Sequence, residues 1–414
     1  MSVFIVMALS GLSLNVFGQI YLTELILIIY IFITWLSGKK DRNIPSASFF
    51  RPYFFFIFLA LAGQVISDVS RSSPMISFFK GFSLLLFTFM NLSALIQLTQ
   101  LKVRKFNIAV LGWATGLIIG ALFQRPDFIT TQSLLWKFGF GYPLTLIFFA
   151  YVSFKRRKII TILITSLMLT TIHLLNDSRS LALFTLFSSI YILFFSKRKF
   201  QTESIIPSKN QTSRIVLIVS IFILVSFGTI SYLQNLDQNN KVAQKFQEQS
   251  QSGFAFEPLS VLISARAEVI PEFIAIKNSP IIGYGSYPLN TDQIKSETNN
   301  FLTVQESRYL QKRLSVNEQN LIPTHSSIFQ NWVWFGILGV PFFLLLLRHI
   351  LFALIRFQAN PVIVFLLIHS FWDILFSPYA GLRRIQYPLV IVALAITLKN
   401  LSKEIINTQS KPVS

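Results

Sequence analysis

The 414-residue chain has no cysteine, which excludes thiol chemistry and disulfide staples and leaves the compartment open. Charge is scarce too: Asp, Glu, Lys and Arg make up 13% of the residues, against 53% hydrophobic. Acids are the rarer sign, 17 against 36 basic residues, and there are only four histidines. No paired His/Cys metal spacing, HExxH pair, nucleophile elbow or Walker loop occurs, so the common templates of metal, serine-hydrolase and P-loop chemistry do not apply. A soluble domain of this length would carry more charge.

What the chain has is phenylalanine, 43 residues of it, and repeated apolar runs near twenty residues that mark a polytopic membrane protein. The runs predict an all-α protein of about twelve transmembrane helices, at roughly 2–18, 19–38, 52–69, 75–99, 106–123, 134–154, 159–176, 180–196, 214–233, 327–347, 361–376 and 385–399. The first lacks a basic n-region and a small-residue cleavage site and is read as a retained span. The expected organisation is therefore nine spans in 1–233, a large loop in 234–326, three spans in 327–399 and a tail in 400–414.

The net charge of +19 is a topology signal. Every second loop carries the basic clusters, from Lys39, Lys40 and Arg42 through Lys155 to Lys158 and on to Lys403. These loops hold twenty-one basic residues against three acids, Asp41, Glu203 and Glu404. That alternation puts both termini in the cytoplasm and argues against nucleic acid as a partner. The loop before the tenth span, with eight basic and nine acidic residues, falls outside the cytoplasm.

On the short outward loops every basic residue is arginine: Arg71, Arg125, Arg179, Arg383 and Arg384. Arginine offers a planar fork suited to phosphate and stays charged at any relevant pH. Each could instead pair with a neighbouring aspartate (Asp68, Asp127, Asp177 or Asp373) and anchor a helix end. His369 and Asp373, four apart on one helix face, either satisfy each other or join Arg383 and Arg384. Glu24 is read as reaching the outer interface, and His173 and His349 as core and interface histidines.

In the large loop, Val269, Ile270, Phe273, Ile274 and Ile276 mark a helix with an apolar face, disturbed but not forbidden by Pro271. Arg266 precedes it. Gly283, Tyr284 and Gly285 make a tight turn whose glycines let the backbone approach a ligand or another segment. The loop ends in IPTHSSIFQNWVWFGILGVP, Ile322 to Pro341, where polar chain runs straight into a span. With Thr324 as N-cap, His325 falls in the first helical turn, where the helix dipole disfavours imidazolium and favours a proton acceptor. Gly336 and Gly339 read as helix-packing positions.

Three segments, in this order, give the chain a family resemblance: Ser178, Arg179, Ser180 between two spans; Arg266 with Ser279, Pro280, Gly283 and Gly285; and PTHSSIFQNWVWFGILG. On these it resembles the O-antigen ligases and the O-antigen or exopolysaccharide polymerases. Ser326 departs from the asparagine common after the histidine, and Ser279 from the asparagine frequent before the proline. The resemblance implies a metal-independent, GT-C-like glycosyltransferase without a cofactor, in the bacterial inner membrane, with its large loop and active site periplasmic. It implies His325 and Arg266 as catalytic residues, with Arg179 and Arg266 as donors to the pyrophosphate of an undecaprenyl-linked glycan. Arg71, Arg125, Arg383 and Arg384 are added from the charge map, and Gly283, Tyr284 and Gly285 as a substrate-binding turn. The acceptor is another lipid-linked repeat, lipid A–core or a protein serine, and a chain-length regulator is an expected partner. Polymerase is favoured over ligase. A flippase or other transporter would have as many spans, but should show two similar halves and polar residues at mid-membrane, and the sequence has neither.

Overall fold

A computed structural model describes residues 2–15, 19–37, 47–124, 132–155, 159–195, 269–304, 321–356 and 360–409. In hydrocarbon every backbone group must be satisfied within its own segment, so apolar runs close into helices. Among the described residues four helices are long and apolar enough to cross a membrane: Ser48–Ser70, Met75–Thr99, Val103–Phe123 and Trp136–Phe154. A fifth is made if the bent pair Ser327–Gly339 and Pro341–Ile355 counts as one span. The expected ninth span, 214–233, lies outside the described residues.

The first expected span is not one. Helix α1 (Val3–Ala8) gives way to a 3-10 turn and a hairpin, β1 (Ser13–Asn15) with β2 (Gln19–Tyr21), antiparallel with Leu14 opposite Ile20. Helix α2 (Leu22–Leu36) follows, then α3 (Ala47–Ser70), α4 (Met75–Thr99) and α5 (Val103–Phe123). Polar residues at Ser10, Ser13 and Asn15 interrupt the apolar run too often for a full span. The short α1 instead lies in a groove on α5, where side chains at Gly112, Gly116 and Gly120 would collide with the backbone of Phe4, Ala8 and Gly11. Small residues every fourth position permit this approach.

A four-residue helix α6 (Gln132–Leu135) and a π-turn (Trp136–Phe140) lead into α7 (Gly141–Lys155), then α8 (Ile159–Leu175) and α9 (Arg179–Phe195). The loop contributes α10 (Val269–Asn278) and α11 (Asp292–Val304). The last helices are α12 (Ser327–Phe335), α13 (Pro341–Arg356), α14 (Pro361–Phe376) and α15 (Arg383–Gln409). Helix ends beside basic loops share one end of the bundle. There Asn360 bonds Ser153 (2.6 Å) and Asn107 (3.2 Å), Tyr191 donates to the Leu354 carbonyl (2.7 Å), and Tyr53 meets His349 (2.6 Å).

The tenth span is broken, contrary to the continuous helix expected. Between α12 and α13 the chain turns by 112°. Gly336 sits at φ +63°, a region open mainly to glycine, and a side chain there would collide with the Ile281 carbonyl. The Ile337 N–H donates to that carbonyl (3.1 Å). Gly336 therefore makes a bend stapled by the loop, and is not a helix-packing position.

Candidate active site

At the end opposite the basic loops, α12 begins two residues later than a Thr324 cap would start it. Ser326 is the N-cap, with extended backbone (φ −131°, ψ 133°) and Oγ accepting from Phe329 N–H at 3.3 Å. His325 thus stands outside the first turn. The cause is Glu272 on α10, whose Oε1 accepts from both His325 N–H (2.7 Å) and Ser326 N–H (3.3 Å). Those donors, once satisfied outside the helix, hold the chain extended up to Ser326. Ser326 Oγ lies 3.2 Å from the Ile374 carbonyl, and Ser327 Oγ donates to that of Ser377 (2.8 Å), with Tyr387 Oη 2.7 Å away. The half-buried His325 is anchored against the end of α14.

That end carries a buried polar cluster. Asp373, 3% exposed, takes His369 Nδ1 at 2.9 Å, Arg383 at 3.3 Å and Gln386 Nε2 at 2.8 Å. His369 and Asp373 meet each other and Arg383, whereas Arg384 pairs with Glu24 instead. Arg383 further donates to the Pro378 carbonyl (2.9 Å). Its Nε is buried without a hydrogen-bond partner among the described residues, and so is Oη of Tyr142. The Tyr142 ring covers His369, centroids 4.3 Å apart.

Arg179 opens α9. Its Nε pairs with Asp177 at 3.1 Å, and its Nη2 is buried without a hydrogen-bond partner among the described residues. Phe184 packs against His369 and Trp372, both at 5.5 Å. Five residues earlier on α9 is about 7.5 Å along the axis, which puts Arg179 level with the last turn of α14. Arg179 thus lies level with the helix end that Arg383 pairs with and that Ser326 and Ser327, next to His325, contact.

The other outward arginines do different work. Arg71 leaves Asp68 alone and binds the loop, Nε to the Gly283 carbonyl (3.0 Å) and Nη2 to Ser279 Oγ (2.7 Å), with Tyr284 under its guanidinium at 4.9 Å. Asp68 instead receives Ser286 N–H (2.6 Å) and its hydroxyl (2.8 Å). The GYG turn spends its N–H groups on the protein: Tyr284 donates to Val333 (2.7 Å) and Gly285 to Trp334 (3.0 Å). Gly283 and Gly285, both at φ +83°, bring the loop onto α12 and α3.

Arg384 is 5% exposed and closes a fork on Glu24, both contacts at 2.5 Å. It also donates to the Gln19 carbonyl and lies over Tyr21 and Phe87. Glu24 is fully buried, so it does not reach the interface. His173 is a core histidine, held by Trp136 (3.0 Å) and Thr145 (2.9 Å). Arg125 and Arg266 lie outside the described residues.

Sequence reasoning missed Glu272, Tyr142 and Gln386. For Glu272 there was a signal: it shares a helical face with Val269 and Ile276, and a carboxylate on an apolar face needs a donor.

Four to five helices long and apolar enough to cross a membrane, among the described residues, are those of a polytopic membrane protein, with a buried ionisable cluster at one end of the bundle. Residues 144–344 match the family model described as O-Antigen ligase (Wzy_C), a stretch containing Arg179, Arg266, the GYG turn and His325. Over that stretch, just under half of the chain, the protein is similar to the O-antigen ligase family. No curated protein and no solved structure matches it.

Proposed function

We propose that this protein is a GT-C-like, metal-independent glycosyltransferase of eleven spans in the bacterial inner membrane, organised as eight spans, a large loop, three spans and a cytoplasmic tail. It transfers glycan from an undecaprenyl-pyrophosphate donor to an acceptor glycan hydroxyl at the periplasmic face, polymerising O-antigen or exopolysaccharide repeats. His325 takes the proton of the acceptor hydroxyl through a ring nitrogen. The oxygen attacks the anomeric carbon of the donor sugar, and the bond from that carbon to the phosphate oxygen breaks with its electron pair. Arg179, Arg266 and Arg383 receive the negative charge that collects on the departing pyrophosphate. Arg71 and the GYG turn hold the loop on α3 and α12, and Arg384 serves the packing of α2, α4 and α15; Arg125 remains a candidate donor.

The observation that carries this reading is the set of buried donors lacking partners among the described residues. Arg179 Nη2, Arg383 Nε and Tyr142 Oη all belong to side chains around the end of α14 on which His325 is anchored. Unsatisfied buried donors are costly, and an anionic group between them would relieve that cost.

The description of the matching family favours a second reading, a ligase that passes finished glycan to lipid A–core. Deletion and complementation separate the two. Loss of a polymerase leaves lipid A–core capped with a single repeat, whereas loss of a ligase accumulates polymer on undecaprenyl pyrophosphate. An unchanged glycan profile in the deletion strain would refute both. The buried pairs Glu24–Arg384 and Asp373–Arg383 mean that interior polar residues no longer argue against a transporter. The family match does so instead.

A further inference from the structure

We infer that Glu272 is the positioning residue for His325, an inference that rests on reading His325 as the base. Glu272 lies in the first turn of α10 and is fully buried. A buried carboxylate is costly unless donors converge on it. Here one oxygen, Oε1, takes two successive backbone N–H groups, those of His325 and Ser326. Two successive N–H groups directed at one point need an acceptor there, since buried backbone donors left unpaired are costly.

The consequence is positional. His325 has no helix of its own to orient it, since α12 begins only at Ser327. Its backbone is held on one side by Glu272 and on the other by the anchoring of Ser326 and Ser327 to α14. Phe273 of α10 packs on Phe329 of α12, centroids 4.7 Å apart, a second contact between the two helices. The loop helix thereby sets where the imidazole stands relative to Arg179 and Arg383. What the geometry asks of position 272 is an acceptor at the reach of a glutamate, not a charge.

Two conservative variants separate reach from charge. Glu272→Gln keeps an acceptor at the same reach without the charge; Glu272→Asp keeps the charge but withdraws it by about 1.5 Å. Each is purified in lipid nanodiscs and assayed with a lipid-linked glycan donor, while hydrogen exchange is followed in the peptide spanning 321–330. We expect E272Q to keep kcat within about threefold and E272D to lose about a hundredfold with KM little changed, since misplacement by an ångström can cost that much. Exchange at His325 and Ser326 should quicken in E272D alone. E272D with normal kcat, or E272Q as impaired as E272D, would overturn the inference. The exchange measurement stands apart from catalysis. A fully active H325A would remove the base reading, while unchanged exchange in E272D would remove the tether.

Discussion

The assignment of Arg384 to packing, and not to substrate, can be tested without a substrate. Its guanidinium forks onto both oxygens of Glu24 at 2.5 Å, with both side chains buried and Asn91 bonded to each residue. Asn91 lies about 12 Å along α4 from its end at Thr99, well inside the apolar bundle. Removing one partner strands a charge there, and buried pairs broken in this way cost about 3–5 kcal/mol. Arg384→Met and Glu24→Leu should each destabilise the protein by that order. The double variant, apolar at both positions, should recover most of the loss, giving a coupling of about 3 kcal/mol in a double-mutant cycle. Thermal unfolding in detergent, read by the monodispersity of a fluorescent fusion, measures all four proteins. Complementation of a deletion strain then reads function in the double variant. Refutation has two forms: R384M as stable as the parent, or a double variant that is stable but inactive. The second would return Arg384 to the substrate site.

Three further outcomes follow from the same geometry. H325A should fold and insert normally but lose about 10²–10⁴-fold in transfer rate, the usual contribution of a general base, as measured on purified protein with a lipid-linked donor. Gly283→Ala should destabilise by about 2 kcal/mol or more, because left-handed backbone disfavours a side chain and a Cβ there would sit 2.6 Å from Gly336 N and 2.8 Å from the Val333 carbonyl; thermal unfolding and protease sensitivity of the loop would report it. Transfer should survive excess chelator unchanged if arginines stabilise the leaving group, and a strict divalent-cation requirement in that assay would refute the assignment.

The alternation of basic loops was legible because charge placement is read span by span. The helix ends it predicts to be on one side are those joined by Asn360, Ser153, Asn107, Tyr191 and Tyr53. The start of α12 was less legible. Thr324, Ser326 and Ser327 all have capping side chains, and a residue more than fifty positions earlier, Glu272, decides among them. The break at Gly336 was written locally, as two glycines and Pro341 within six residues. Its cause is again distant, since Ile281 occupies the space a side chain would need. The pairing of Glu24 with Arg384 spans 360 residues and has no local signature at all. For α1 the clue lay in its partner: glycines 112, 116 and 120 formed a groove whose occupant the hydropathy of residues 2–18 did not suggest.

The bend between α12 and α13 divides two duties that a single straight helix would have to combine. Helix α13, about 24 Å long, runs toward the basic end, while α12 turns more than a right angle away from it. Measured along α13, the start of α12 therefore lies about 5 Å deeper than its end. The bend thus draws the start of α12, and His325 just before it, back toward the interior of the bundle, which a straight span would instead have lifted to its outer end.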